Sequence, residues 1–164
     1  MPKTYTPIAT TTLSSAAASV TFSSISGSYT DLILVTNATI GTGNEDLQIQ
    51  FNSDTATNYS WTSVDGSGTV AVSSRVSNTS TPRLGGSYGA INTTNAIWIT
   101  NIQNYSNTTT HKTYVSRGSN AGYGVSATVG LWRSTSAITS IKLFPSASTL
   151  SLGSTFTLYG ILAA

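Results

Sequence analysis

Val125-Ser126-Ala127-Thr128-Val129-Gly130-Leu131 and Leu47-Gln48-Ile49-Gln50-Phe51-Asn52 each place an apolar residue at every second position. A period of two marks an extended strand, whose side chains point alternately to opposite faces, so both stretches predict strands with an apolar face in a core and a polar face in water. The theme spreads outward from them. Val70 and Val72, Ile141 and Leu143 around Lys142, and Phe156 and Leu158 between Thr155, Thr157 and Tyr159 repeat it. Leu32-Ile33-Leu34-Val35 and Ile97-Trp98-Ile99 are apolar at successive positions and are expected as central strands buried on both faces.

Turn chemistry separates these runs: Ser26-Gly27-Ser28, Gly41-Thr42-Gly43-Asn44, Asp65-Gly66-Ser67-Gly68, Gly85-Gly86, Asn104 to Thr109 and Gly118-Ser119-Asn120. Punctuation at about every ten residues predicts an antiparallel sandwich or barrel of about eight to ten strands. Ser14-Ser15-Ala16-Ala17-Ala18 is the one helix-like piece, and it is too short to be stable by itself. No shift in composition divides the chain, so residues 13–164 read as one domain. Residues 1–12, with Pro2 and Pro7, read either as an extended arm lying along another subunit or as an edge strand.

Serine and threonine supply 56 of the 164 residues, whereas Lys, Arg, Asp and Glu supply 12. That balance favours strands over surface helices, and 38% apolar residues with a net charge of +2 argue for a folded chain over a disordered one. Cysteine is absent, which excludes disulfides and Cys-based zinc sites. Met1 to Pro7 has no apolar run behind its cation and no stretch is long and apolar enough to span a bilayer, so neither secretion nor a membrane is expected. All five acids (Asp31, Glu45, Asp46, Asp54, Asp65) precede six of the seven bases (Arg75, Arg83, Lys112, Arg117, Arg133, Lys142). This split is either a chance arrangement of twelve charges or the mark of an assembly protein with complementary surfaces. The bases stand singly, so nucleic acid is not an expected partner.

Catalytic chemistry is hard to assemble from these residues. The single histidine, His111, lies in a polar Thr-rich stretch and reads as an exposed loop residue, and no Gly-x-Ser-x-Gly elbow is present. Glu45 and Asp46 are adjacent and would face opposite ways on a strand, Asp65 before Gly66 reads as a turn residue, and the spacing around Asp54 is unlike a calcium-binding EF-hand. Gly122-Tyr123-Gly124-Val125-Ser126-Ala127 has the spacing of a dinucleotide-binding turn but runs into a strand instead of a helix, so it reads as a glycine-rich β-turn. No enzyme activity, cofactor or metal is expected. Trp61, Trp98, Trp132 and most tyrosines fall in strand patterns and are expected in the core, while Tyr88 and Tyr123 in glycine-rich loops, and Tyr5 near the N-terminus, are expected to be exposed.

Three segments carry a resemblance. Asp46-Leu47-Gln48-Ile49-Gln50-Phe51-Asn52-Ser53-Asp54 with Asn58-Tyr59-Ser60 resembles the "L-x-I-x-F-N-x-D … N-Y" stretch of small virion proteins of tailed bacteriophages. Gly153 to Ile161 resembles their closing strand, and Tyr5 to Leu13 their opening. The resemblance implies a jelly-roll-like sandwich working as a multimer on the particle: a capsid decoration (cement) protein over the major capsid protein, with a homotrimer adopted by analogy. It would be assembled in the host cytoplasm and placed on the capsid surface. A tail, fibre or carbohydrate-binding module is the alternative. Pro2, Lys3, Tyr5, Pro7, Tyr88 and Tyr123 are the expected contact residues, the two loop tyrosines serving a glycan under the alternative.

Overall fold

The computed structural model describes residues 4–120 and 122–162. Its elements are all strands: β1 (Tyr5–Thr12), β2 (Val20–Phe22), β3 (Asp31–Ala38), β4 (Asn44–Glu45), β5 (Leu47–Phe51), β6 (Tyr59–Gly66), β7 (Ala71–Thr79), β8 (Ile91–Asn92), β9 (Ala96–Gln103), β10 (Lys112–Asn120), β11 (Gly124–Trp132), β12 (Ile141–Pro145) and β13 (Thr155–Ile161). Every pairing is antiparallel. The count of thirteen exceeds the expected range because β2, β4 and β8 are only two or three residues long, too short to show a period. Residues 14–18 form no helix; Ala17 instead bridges to Leu150.

The strands form an eight-stranded sheet in the order β1-β13-β3-β9-β10-β11-β6-β7, a three-stranded sheet β2-β12-β5, and the pair β4-β8. The small sheet packs on one face of the large one. Phe51 of β5 is the hub, its ring 5.6 Å from Trp132, 6.0 Å from Tyr114 and 6.3 Å from Tyr59, all of the large sheet. Leu32, Leu34, Trp98, Ile102, Phe156 and Leu158 from the large sheet join Ile49, Ile141, Leu143 and Phe22 from the small one in a single core. The unequal widths differ from the paired four-stranded sheets of a jelly roll.

The N-terminal stretch from Tyr5 is an edge strand, β1, hydrogen-bonded to β13, with its register broken between Pro7 and Ala9. Proline has no N–H for a ladder, so an edge position with a local irregularity is where it fits. Pro2 and Lys3, expected among the contact residues, lie outside the described residues.

Four expectations about burial need correction. Val70, expected with Val72 to face a core, is 48% exposed and lies before β7, none of whose residues is fully buried. β3 and β9 do pair in the middle of the large sheet, but only one face of each is buried, and Ile97 is 44% exposed. Gln48 and Gln50, expected in water, are 6% and 7% exposed. Most consequentially, β11 is inverted: Ser126 and Thr128 point inward at 5% and 1% exposure, while Val125 and Val129 point outward at 58% and 48%.

The inversion has a steric cause. Beyond the small sheet, the inner face of β6 and β11 is closed by the loop 84–90, which approaches so tightly that only small side chains fit. A Cβ at Gly86 would lie 2.2 Å from Asp65 Oδ2, and one at Gly89 would lie 2.4 Å from Ser126 Cβ. Gly86 N donates to Ser126 Oγ (2.9 Å), Ser126 and Thr128 hydroxyls are 3.3 Å apart, and Ser63 Oγ donates to Asp65 Oδ2 (2.8 Å). Further along the same face, a Cβ at Gly130 would lie 2.0 Å from Tyr114 Cζ. Small and hydroxylated residues must therefore face in, and the valines between them face out.

Candidate protein interface

The outward parity of β11 continues across the sheet. Through the register, one row runs Ser73, Val64, Ala127, Arg117, Ile99, Val35, and the next runs Arg75, Thr62, Val129, Val115, Asn101, Ile33. Val64 (62% exposed), Val125, Val129, Val115 (42%) and Ile97 thus lie on one open face that no other element among the described residues covers. Isolated exposed apolar residues are ordinary in proteins, but a contiguous apolar patch marks a surface that meets a partner. Two shallow depressions interrupt it: one of about 560 Å³ bordered by Val64, Arg117, Val125 and Ala127, and one of about 350 Å³ bordered by Thr62, Arg75, Val129, Leu131 and Arg133.

From β7 to β9 the charges on this face have one sign; Asp31, of the same parity at the start of β3, is held by Asn104 N. Arg75 and Arg117 are exposed and make no hydrogen bond or ion pair among the described residues. Arg133 at the rim is held by Ser60, its Nη2 donating to Ser60 Oγ (2.5 Å). The remaining described bases sit elsewhere. Lys112 is buried, its Nζ donating to the carbonyls of Thr110 (2.8 Å) and Thr135 (3.2 Å); Arg83 pairs with Asp46 (2.9 Å); Lys142 lies over Phe144.

All five carboxylates are engaged within the molecule. Asp31 Oδ1 accepts from Asn104 N (2.6 Å), and Glu45 Oε2 accepts from Ala147 N (2.7 Å) and Ser148 N (2.9 Å). Asp54 accepts from Trp132 Nε1 (2.7 Å), Asn58 Nδ2 (2.9 Å) and Ala56 N (2.9 Å). Burial works to raise the Asp54 carboxyl, but these hydrogen bonds outweigh it and hold the group below its ordinary value. At Asp46 burial dominates over the Arg83 charge, and the group is pushed up. The acidic half of the sequence therefore supplies a set of internal staples.

Asp65 is not a turn residue but an inward side chain of β6, 2% exposed. Its Oδ1 has no partner among the described residues, yet Gly86 fills the space in front of it and leaves no room for a ligand. Among the described residues no three of His, Cys, Asp or Glu converge, and no helix is long and apolar enough to cross a membrane. His111 lies in an exposed loop.

The expected contact residues do not converge. Tyr5 is 58% exposed and Pro7 is exposed, both on the β1 edge. Tyr88 and Tyr123 are half-buried, not exposed, with rings 6.0 Å apart, because Tyr88 is pressed against Gly124 and Tyr123 sits in the β10–β11 turn, its N–H donating to Asn120 O (2.9 Å). Trp61, Trp98 and Trp132 are in the core as expected. The outward valines were missed, though a signal for them exists in the chain. Trp132 shares parity with Ser126, Thr128 and Gly130, and Tyr59 and Trp61 share parity with Ser63 and Asp65. Large aromatics fix the inward face more strongly than valines do, because they bury far more surface.

The chain is thus an antiparallel all-β protein with one wide sheet face left open. No family model, curated protein or solved structure matches it.

Proposed function

We propose that this protein is a non-enzymatic structural component of a bacteriophage particle, a capsid decoration (cement) protein that binds over major capsid subunits as a homotrimer and stabilises the head. The observation that carries the reading is the open apolar face of the large sheet, where at least five large aliphatic side chains wait for a partner. Support comes also from the resemblance of residues 46–60 and 153–161 to small virion proteins. Binding through a preformed sheet face adds buried apolar area without ordering a flexible segment, which suits a protein whose task is to hold a shell together.

Quantitative mass spectrometry of purified virions tests it. The reading predicts on the order of hundreds of copies, as repetition over a symmetric shell requires. A few to some tens of copies would place the protein on the tail.

A second reading, carbohydrate binding, has one observation in its favour. Tyr123, its ring 6.0 Å from that of Tyr88, borders a depression of about 320 Å³ formed with Gly66, Gly68, Asn120 and Gly122. A glycan array with the isolated protein decides it, and Tyr123→Ala should abolish any signal found there.

A further inference from the structure

We propose that the occupant of the open face is an acidic, apolar surface of a different protein, seated with carboxylates on Arg75, Arg117 and Arg133, and not a second copy of this chain. The inference deepens the decoration reading, since it states the chemistry its capsid partner would present.

Charge decides the occupant. From β7 to β9 the outward positions carry Arg75 and Arg117 and no carboxylate, and the arginines have no internal partner among the described residues. Two copies meeting face to face would set arginine against arginine across an apolar contact, and like charges brought together in an interface are strongly unfavourable. The five carboxylates are engaged elsewhere: Asp65 faces the interior, Asp54 and Glu45 cap loops, Asp46 holds Arg83, and Asp31, at the far β3 end of the sheet, accepts from Asn104 N. A partner must bring its own.

The two depressions define the seats. Beside Arg75 and Arg133 the wall carries the hydroxyls of Thr62 and Thr113, donors suited to a carboxylate, while Val129 and Leu131 form an apolar floor. Ser60 holds the Arg133 guanidinium in place before any ligand arrives, so less side-chain freedom is lost on binding. The second seat, beside Arg117, is almost wholly apolar, with Val64, Val125 and Ala127 around it. A nucleic acid would meet only scattered bases here and a field of valines, a poor match to a phosphate backbone.

The test uses the purified full chain with poly-L-glutamate as probe, at low and physiological salt. Arg75→Glu and Arg117→Glu should each weaken binding by about tenfold or more, whereas Lys142→Glu, which changes net charge equally on another surface, should leave it nearly unchanged. Arg75 and Arg117 are exposed and Lys142 is half-buried over Phe144, and unchanged melting temperatures show that the fold of each variant is intact. Equal losses from Lys142→Glu, no loss from either arginine variant, tighter binding of an oligonucleotide at the same residues, or a change in oligomer mass caused by Arg117→Glu each overturn the inference. A parallel assay measures occupancy on purified particles. Wild-type chain absent from particles removes the decoration reading while the poly-glutamate result still stands. Arg117→Glu occupying particles as fully as wild type overturns the inference and leaves the reading intact.

Discussion

Strands β5 and β11 read alike in sequence and behave oppositely in the fold. In β5 the apolar residues Leu47, Ile49 and Phe51 are fully buried; in β11 the apolar residues Val125 and Val129 are outward and Ser126 and Thr128 are buried. What differs is the cover. β5 belongs to a small sheet pressed on the large one, so bulk is needed at its contact face. β11 lies largely beneath a glycine loop whose backbone comes within reach of the strand, so bulk is excluded. Period two identifies a strand, while the parity of that period is set by whatever packs on it.

Truncating β5 should therefore hurt most. Phe51→Ala removes the hub of the aromatic cluster and should cost about 3–5 kcal/mol in chemical denaturation. At the junction of the two regions, Trp132→Phe keeps the ring packing but leaves the Asp54 carboxylate short of a donor, for a loss of about 1.5–3 kcal/mol. Gly86→Ala sharpens the cover argument. Its methyl would collide with Asp65 and Ser63, and about 1–3 kcal/mol of destabilisation should follow if the loop is as close as described.

Acid provides a milder probe. Asp54 and Glu45 are each held below their ordinary values, by hydrogen bonds that outweigh burial. A depressed carboxylate stabilises the folded state above its unfolded value and loses that contribution as pH falls through the folded one, so melting temperature should be flat above about pH 5 and decline below about pH 4. Asp46, shifted the other way, opposes part of this slope. Asp54→Asn should lower stability at neutral pH and flatten the decline; an unchanged slope would remove Asp54 from the account. The smallest effect belongs to the open face: Val129→Ala should change stability by less than about 0.5 kcal/mol, since it empties no core.

Much of this architecture was legible in the chain. Alternation around Phe51, Leu143 and Phe156 located strands β5, β12 and β13, whereas Gly118-Ser119-Asn120, expected as a turn, is the end of β10. Strands as short as β4 and β8 carry no period to read. The candidate interface was not legible because its residues are the same valines that a core would use, and only long-range packing separates the two. The six expected contact residues came from loop and terminal position, which says where a side chain is free to go, whereas Arg75 and Arg117 gain meaning only from the register that sets them beside Val129 and Ala127.

Because the chain has no cysteine, single introduced thiols report the parity of β11 directly. Val125→Cys and Val129→Cys in the native protein should react with a maleimide at nearly the rate of a free thiol, while Ser126→Cys and Thr128→Cys should react only as the fold opens. Protected thiols at 125 and 129 with reactive ones at 126 and 128 would contradict the open face and everything built on it.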